Sequence, residues 1–370
     1  MNTSIDLIQH NVNLQNHNTL RLSSIAQAYA KIDTFESLSH ALQFAAAEKI
    51  ALLPIGDGSN IILPATVETL VLDVQLRGIQ VIKQDQNHIW VEVAAGESWH
   101  QWVLHSIQQD WYGLENLALI PGRVGAAPIQ NIGAYGCEVK SSIDSVNFIA
   151  LDKINDLNSL DIKQSIQTLT AADCQFAYRE SIFKQALANK TLITSVVFQL
   201  NKSFTPMIDY PSLANRLDQT RTESDLSAAE VANAVIAIRS EKLPDPKVLA
   251  NAGSFFKNIE IDQTQFSEFI SQNPDAPYYE SLNNLKDTAN NKRYKIPSAW
   301  LIERCGLKAK RSGDIGIHQH QALVIVNYAE DKTPTTAVEL IDFASQIIAT
   351  VKEQFGFTLQ IEPQVIPSQS

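Results

Sequence analysis

Ile120-Pro121-Gly122-Arg123-Val124-Gly125-Ala126-Ala127-Pro128-Ile129-Gln130-Asn131-Ile132-Gly133-Ala134-Tyr135-Gly136 holds four glycines, two prolines and one charged side chain, Arg123. Glycine loosens the backbone and proline removes a hydrogen-bond donor, so a regular helix or central strand is excluded. The near absence of long polar side chains also excludes an ordinary solvated loop. Two readings remain: a tight buried turn between strands, or a backbone surface that brings many N–H groups against a ligand. A diphosphate gripped by amides is the natural guest of the second.

A second run supports the ligand reading. Ile50-Ala51-Leu52-Leu53-Pro54-Ile55 reads as a short buried strand, followed by Gly56-Asp57-Gly58-Ser59-Asn60 and the apolar run Ile61-Ile62-Leu63. The glycines begin like a Rossmann fingerprint. The third glycine position is Ile61, however, and the loop leads to a strand-like run rather than a helix, which argues against that fold. Two glycine loops set between strands point to another way of holding a dinucleotide.

The rest of the composition narrows the class. With 370 residues, 45% of them hydrophobic, the chain has room for two or three domains with real cores. A net charge of -11 speaks against nonspecific binding to nucleic acid or acidic membranes. An anionic ligand must then be held by local amides and a few placed cations. Met1 to Gln15 has neither the basic segment nor the apolar core of a secretory signal, and no apolar run reaches the length of a membrane span. Cys137, Cys174 and Cys305 form no framework, which fits free thiols in a reducing cytoplasm. His318 and His320 have no neighbouring carboxylate or thiolate, so no metal is expected and a polar strand start is the better reading.

Along the chain, Asp33-Thr34-Phe35-Glu36 looks like a capping box ahead of a helix carrying Leu38, Ala41, Leu42 and Ala45. Strand-like runs recur at Leu70–Val74, Ile89–Val93, Val146–Leu151 and Leu192–Phe198, and Gly96 to His100 opens another helix. Asn215 to Ser227 has the composition of a connector, and Ser227-Ala228-Ala229-Glu230 caps the helix after it. Leu340, Ile341, Ala344, Ile347, Ile348 and Val351 mark a last helix that stops at Gly356.

Taken in order, GDGSN (56–60), GLENLALIPGRVGAAPIQNIGAYG (113–136), YRESIFK (178–184), KLPDPKVLANAGSFFKN (242–258) and IEPQV (361–365) give the chain its resemblance. Over essentially its whole length it resembles the UDP-N-acetylenolpyruvoylglucosamine reductase family, in its longer class with a tyrosine loop. The resemblance implies an α+β fold: a two-part FAD-binding domain of the vanillyl-alcohol oxidase (PCMH) type and a C-terminal α+β substrate-binding domain. Residues 1–70 and 71–220 are expected to form the two FAD-binding parts, 221–363 the substrate domain, with 364–370 returning to the second part. It implies non-covalent FAD, NADPH as hydride donor, and reduction of UDP-N-acetylglucosamine enolpyruvate to UDP-N-acetylmuramate for peptidoglycan synthesis, in a cytoplasmic monomer. FAD contacts fall on Gly56, Gly58, Ser59, Asn60, Pro121, Gly122, Gly125, Ala126, Asn131, Gly133, Ala134, Gly136 and Arg179. Substrate contacts fall on Tyr210, Lys242, Asn258, Tyr279 and Gln321. The chain departs from the family's habit at Arg123 and Ala126-Ala127, where relatives often carry smaller or hydroxylated residues, and at Gln364, where an acid is common.

The resemblance makes Arg179, Ser254 and Glu362 the catalytic residues, and their chemistry suits the roles. Hydride added to the terminal carbon of the enolpyruvyl group leaves an enolate that must be stabilised and then protonated. A guanidinium can grip a carboxylate through two N–H groups, which suits Arg179; on its own it would read as an ion-pair partner of Glu180. Ser254 is the expected proton donor, although by itself it would read as a turn or capping serine. Glu362 ends the strand-like run Phe357–Ile361, where alternation sets it on a polar face with Thr358 and Gln360. Burial against a substrate carboxyl would raise its pKa and keep it a neutral acid. Tyr210, Tyr279 and Lys242 are expected at the diphosphate. Two other functions share the glycine loops: a flavin oxidase of the same superfamily, and a non-catalytic flavin or nucleotide-sugar binder. Neither has a reason to carry NAGSFFKN and IEPQV together with Arg179. The stretch Leu282 to Arg293 has no role legible in its residues.

Overall fold

The computed structural model describes residues 7–152, 162–217, 225–280, 292–329 and 334–368. A first sheet has the spatial order Ile8–Asn13, Ile25–Ile32, Thr66–Val74, Leu52–Ile55. Thr66–Val74 runs parallel to both its neighbours, with Ala28 opposite Leu70 and Leu53 opposite Val71. Parallel neighbours need a crossover, and the helix Phe35–Glu48 supplies it, burying Leu38, Ala41, Leu42 and Ala45. Its cap differs from the expected Asp33–Glu36 box. Thr34 has the extended backbone a cap requires, so its hydroxyl accepts from Ser37 N at 3.0 Å and Ser37 answers as the partner.

A second, fully antiparallel sheet has the order Gln167–Thr170, Ile143–Ala150, Thr191–Asn201, His88–Ala94, Ile79–Gln84. Its central strand is buried without a break from Leu192 to Phe198, which is why that run shows no clean alternation. Leu38, Leu72, Val91, Trp99, Trp102 and Phe198 belong to one core shared by both sheets. Each such side chain contributes about 1.5–3 kcal/mol on burial.

Ser227 and Glu230 do form a capping box, and the helix Ala228–Lys242 follows. Its apolar residues Val231, Val235 and Ile238 join the core of the first two sheets. The expected boundary at 220 lies outside the described residues. The change of core comes only after Lys242, because this helix finds its apolar cover on the earlier sheets.

Beyond it, a four-stranded sheet orders Ala250–Ser254, Val324–Asn327, Ile315–Ile317 and Arg311–Ser312, and a three-stranded one orders Ile259–Asp262, Arg293–Ile296 and Tyr279–Glu280. The helix Ala337–Phe355 packs Leu340, Ala344, Ile347 and Val351 into this second core and stops at Gly356 with φ 74°. Of the stretch Leu282 to Arg293, residues 282–291 lie outside those described.

Two seams join the halves. Leu20, Leu22 and Ile62 are buried in the second core, where Asn251 N donates to Thr19 O at 3.0 Å and Asn327 Nδ2 to Leu20 O at 2.9 Å. At the chain's end, Gln364–Val365 pairs parallel with Ile61–Ile62. The return thus lands on residues 61–62 rather than in 71–220, because Asn60 O and Ile62 O offer unpaired acceptors there (Gln364 N 2.9 Å, Ile366 N 3.0 Å). The second part is reached through Gln364 Nε2 to Asn189 Oδ1, 3.2 Å. That pairing sets Glu362 beside the first glycine loop.

Candidate active site

The two glycine loops meet. Gly58 has φ +62° and no room for a side chain, since a Cβ there would lie 2.1 Å from His17 O. Gly122, at φ +112°, lets the second loop slide against the first, with a Cβ position 2.9 Å from Ser59 Oγ. Ser59 Oγ donates to Pro121 O at 3.4 Å, and Asn60 Nδ2 to the Gln130 side chain. Between them opens a cavity walled by Gly56, Gly58, Ser59, Asn60, Pro121, Gly122, Ala126 and Gly133. Gly125, Asn131, Ala134 and Gly136 are not on that wall. Gly125 lies on Ala95 instead. Asn131 is fully buried and works as a splice: Nδ2 donates to Glu138 Oε2 and Ala177 O, both at 3.0 Å, and Oδ1 accepts from Lys140 N.

Ala177 and Glu180 exchange backbone hydrogen bonds around a two-residue turn, Tyr178–Arg179. Arg179 takes φ +53°, a left-handed conformation that costs a side-chain-bearing residue about 1–2 kcal/mol. The turn aims its guanidinium into the cavity. Nη2 donates to Gly133 O at 2.7 Å, and Nε lies 3.0 Å from Glu362 Oε1. The guanidinium is thus shared between a backbone carbonyl and the Glu362 carboxylate.

Glu362 is 9% exposed, not on the open face with Thr358 and Gln360. The expected strand Phe357–Ile361 reduces to one bridge, Ile361 with Phe256; Glu362 N then donates to Phe255 O at 2.9 Å and Pro363 ends the run. Burial pushes its carboxyl above the usual range, while Arg179, Lys184 and Lys257 pull it back. Burial in turn pulls Lys184 down, helped by the like charge of Lys257. Ser254 ends the strand Ala250–Ser254, just after Gly253 at φ +70°, and lines the same cavity. Phe255 and Phe256 follow the strand as buried packing. Arg179, Ser254 and Glu362, distant in sequence, therefore line one cavity, with Arg179 and Glu362 in direct contact.

The residues expected at the substrate lie further out. Tyr210 and Tyr279 stack at 6.4 Å with planes 19° apart, and Tyr135 meets Tyr210 edge-on at 5.4 Å. Burial, then Tyr279, pushes Tyr210 up to about 12. Lys242 is exposed at the end of its helix, one residue from the cavity-lining Leu243. Asn258 Oδ1 accepts from Ser298 N at 3.2 Å, and its backbone N–H reaches Tyr178. Gln321 sits in the turn before Val324–Asn327, where its carbonyl accepts from Val324 N.

The sequence reading missed Arg239, Lys184 and Lys257. Arg239 lines the cavity half-buried, donates through Nε to Leu119 O at 3.2 Å, and has its pKa lowered by desolvation and by Arg179. These cations put local positive charge in a chain of net charge -11. His318 and His320 meet only ring to edge at 5.6 Å, and the described residues hold no group of three that could bind a metal. Nor is any described helix long and apolar enough to cross a membrane.

A dinucleotide fits this arrangement: bare backbone for a diphosphate, buried guanidinium groups for its anionic and carbonyl oxygens, and a floor of small and apolar side chains. The family described as FAD binding domain matches residues 26–152. The one described as UDP-N-acetylenolpyruvoylglucosamine reductase, C-terminal domain, matches 245–366. Among curated relatives, the UDP-N-acetylenolpyruvoylglucosamine reductase of Flavobacterium johnsoniae is 39% identical across 97% of this chain and 99% of its own. That of Pseudomonas fluorescens is 39% identical across 96% and 98%. Among solved structures, UDP-N-acetylenolpyruvylglucosamine reductase from Thermus caldophilus superposes with TM-score 0.61 at 20% identity, over 96% of this chain and 98% of that one, and speaks for the fold. The architecture is the expected α+β one, an FAD-binding part followed by a C-terminal domain. On likeness spanning nearly the full length of both sequences, the chain belongs to the UDP-N-acetylenolpyruvoylglucosamine reductase family, FAD-dependent oxidoreductases of peptidoglycan synthesis.

Proposed function

We propose that the chain uses NADPH to reduce the enolpyruvyl ether of UDP-N-acetylglucosamine enolpyruvate to the lactyl ether of UDP-N-acetylmuramate, with Arg179, Glu362 and Ser254 as the catalytic residues. The observation that carries this reading is that all three residues line the cavity between the glycine loops, with Arg179 against Glu362. The residues of the two glycine loops would hold FAD, which would supply the two-electron hydride chemistry linking NADPH to the enolpyruvyl group. Arg179 receives the substrate carboxylate and holds the charge that spreads into it as the enolate forms. Glu362, whose carboxyl burial pushes above the usual range against the pull of Arg179, Lys184 and Lys257, is assigned the role of acid toward that same carboxylate. Ser254 gives its proton to the carbon next to the carboxylate. Lys184 and Lys257 lie close enough to Glu362 to stabilise the negative charge of the site. The three free thiols suit a reducing compartment, so we assign the reaction to the cytoplasm.

An anaerobic two-step titration tests the whole assignment. NADPH should bleach the flavin, and the enolpyruvyl substrate should restore its colour with one lactyl product per flavin. Bleaching without recovery would reject the acceptor; rapid recovery with oxygen alone would favour the oxidase reading.

The Tyr210–Tyr279 pair is assigned to the UDP diphosphate. A phenol–phosphate hydrogen bond contributes about 1–1.5 kcal/mol, so Tyr210→Phe should raise the KM for the UDP-sugar by about tenfold with kcat little changed. A lowered kcat at unchanged KM would move Tyr210 away from the diphosphate.

Glu362 carries a pH prediction. Its neutral form is lost as pH rises through its raised pKa, so flavin reoxidation should slow on the alkaline side. Gln stays neutral, so Glu362→Gln should flatten that limb while lowering the plateau by about 10- to 100-fold. Single-turnover reoxidation from about pH 5 to about pH 9 decides it, and identical profiles would remove the acid role.

A further inference from the structure

We propose that Arg123 is the positioning residue that latches the two glycine loops together and neutralises two acids behind the diphosphate seat. The inference rests on the assignment of the cavity to FAD. Arg123 belongs to the second loop, where its backbone bridges Ser98. Its side chain crosses to the first loop: the aliphatic stem lies 3.5 Å from where a Cβ on Gly56 would stand, and Nε pairs with Asp57 Oδ1 at 2.6 Å. Nη1 donates to Val74 O at 2.9 Å, and Nη2 lies 3.9 Å from Asp73 Oδ1. One guanidinium therefore ties together both loops and the end of the strand Thr66–Val74.

The acids need it. Asp73 is 3% exposed; its Oδ2 accepts from Tyr29 OH at 2.8 Å and Gln75 Nε2 at 2.6 Å, while Oδ1 has no hydrogen-bond donor. Among the described residues, Arg123 is the one cation within 4.0 Å of either Asp57 or Asp73. Asp57 and Arg123 both line the cavity. With the latch in place, two carboxylates and one guanidinium leave a single net negative charge. Without it, two uncompensated carboxylates stand beside loops that must accept a diphosphate, and like charges oppose binding. Nε and Nη1 are engaged by Asp57 Oδ1 and Val74 O, so Arg123 acts through the loops and not as the diphosphate's ligand.

The test is the FAD dissociation constant of the full chain freed of flavin, read by flavin fluorescence at low and high salt, alongside its melting temperature. Arg123→Ala should weaken FAD by about 30-fold or more, because buried Asp73 loses its one nearby cation and the half-exposed Asp57 at the cavity wall loses its partner. The Arg123→Ala/Asp57→Asn double variant should bind FAD more tightly than Arg123→Ala, and added salt should tighten binding to Arg123→Ala by screening the repulsion. A loop that was merely disordered would respond to neither. Should Arg123→Ala not fold, Arg123→Lys, which keeps the charge but cannot reach three acceptors at once, should show a smaller loss. An unchanged dissociation constant in these variants, or no recovery with Asp57→Asn or salt, overturns the latch. Failure of the parent chain to bind FAD overturns the cavity assignment itself.

Discussion

Ser254→Ala should leave flavin reduction by NADPH within about twofold of the parent and slow reoxidation by the enolpyruvyl substrate by about a thousandfold or more. Hydride arrival at the cavity from NADPH requires no proton from this wall, so the first half-reaction has nothing to lose. The second ends on a carbanion that takes its proton from the protein if the cavity keeps water out. Ser254 is suited to this task by position rather than acidity: it ends a strand whose partner, Val324–Asn327, fixes it from behind, and the left-handed Gly253 turns the backbone just before it. Ala fits the same strand position, so folding and FAD binding should persist. Stopped-flow absorbance separates the two half-reactions. Equal slowing of both would assign Ser254 to cofactor seating, and no slowing of reoxidation would pass the proton to another donor.

Much of this was legible in the residues, for identifiable reasons. Glycine loops announce themselves because only glycine tolerates the contacts of Gly58 and Gly122, and capped helices such as Ala228–Lys242 and Ala337–Phe355 carry their own start signals. The last helix ended at Gly356, as its periodicity implied. What failed were inferences that depend on partners far away. Alternation set Glu362 on the polar face of Thr358 and Gln360, which are exposed, but the pairing of Ile361 with Phe256 and of Glu362 N with Phe255 O buries it at the site, and no local pattern encodes those contacts. The helix after residue 227 looked like the start of a new domain, yet its cover lies in the first core. Asn131 sits in a ligand loop and serves the fold, tying it to the turn that aims Arg179. Lys184, Lys257 and Arg239 carry no individual signature; their meaning arises from convergence on one carboxylate and one cavity.

Arg179→Gln should lower the rate of flavin reoxidation by about a thousandfold, the scale of losing a main stabiliser of developing negative charge, with flavin reduction much less affected. Lys in its place should recover only part, because a point charge cannot hold Gly133 O and a carboxylate at once. The strained turn supports this reading: a residue held at φ +53° sets its guanidinium between Gly133 O and the Glu362 carboxylate, on the lining of the cavity. The charge coupling adds a second, independent readout. Arg179 is the foremost influence pulling the Glu362 pKa down against burial, so its removal should raise that pKa further. Glu362 would then stay protonated to higher pH, and the alkaline limb of the reoxidation profile should move upward in Arg179→Gln. It should vanish in Arg179→Gln/Glu362→Gln, and the double variant should lose less than the product of the single losses, since the two side chains act on the same charge. A limb that stays in place would show that the 3.0 Å pair is not coupled in the reacting enzyme. Fully multiplicative losses would mean that the two residues stabilise different parts of the reaction.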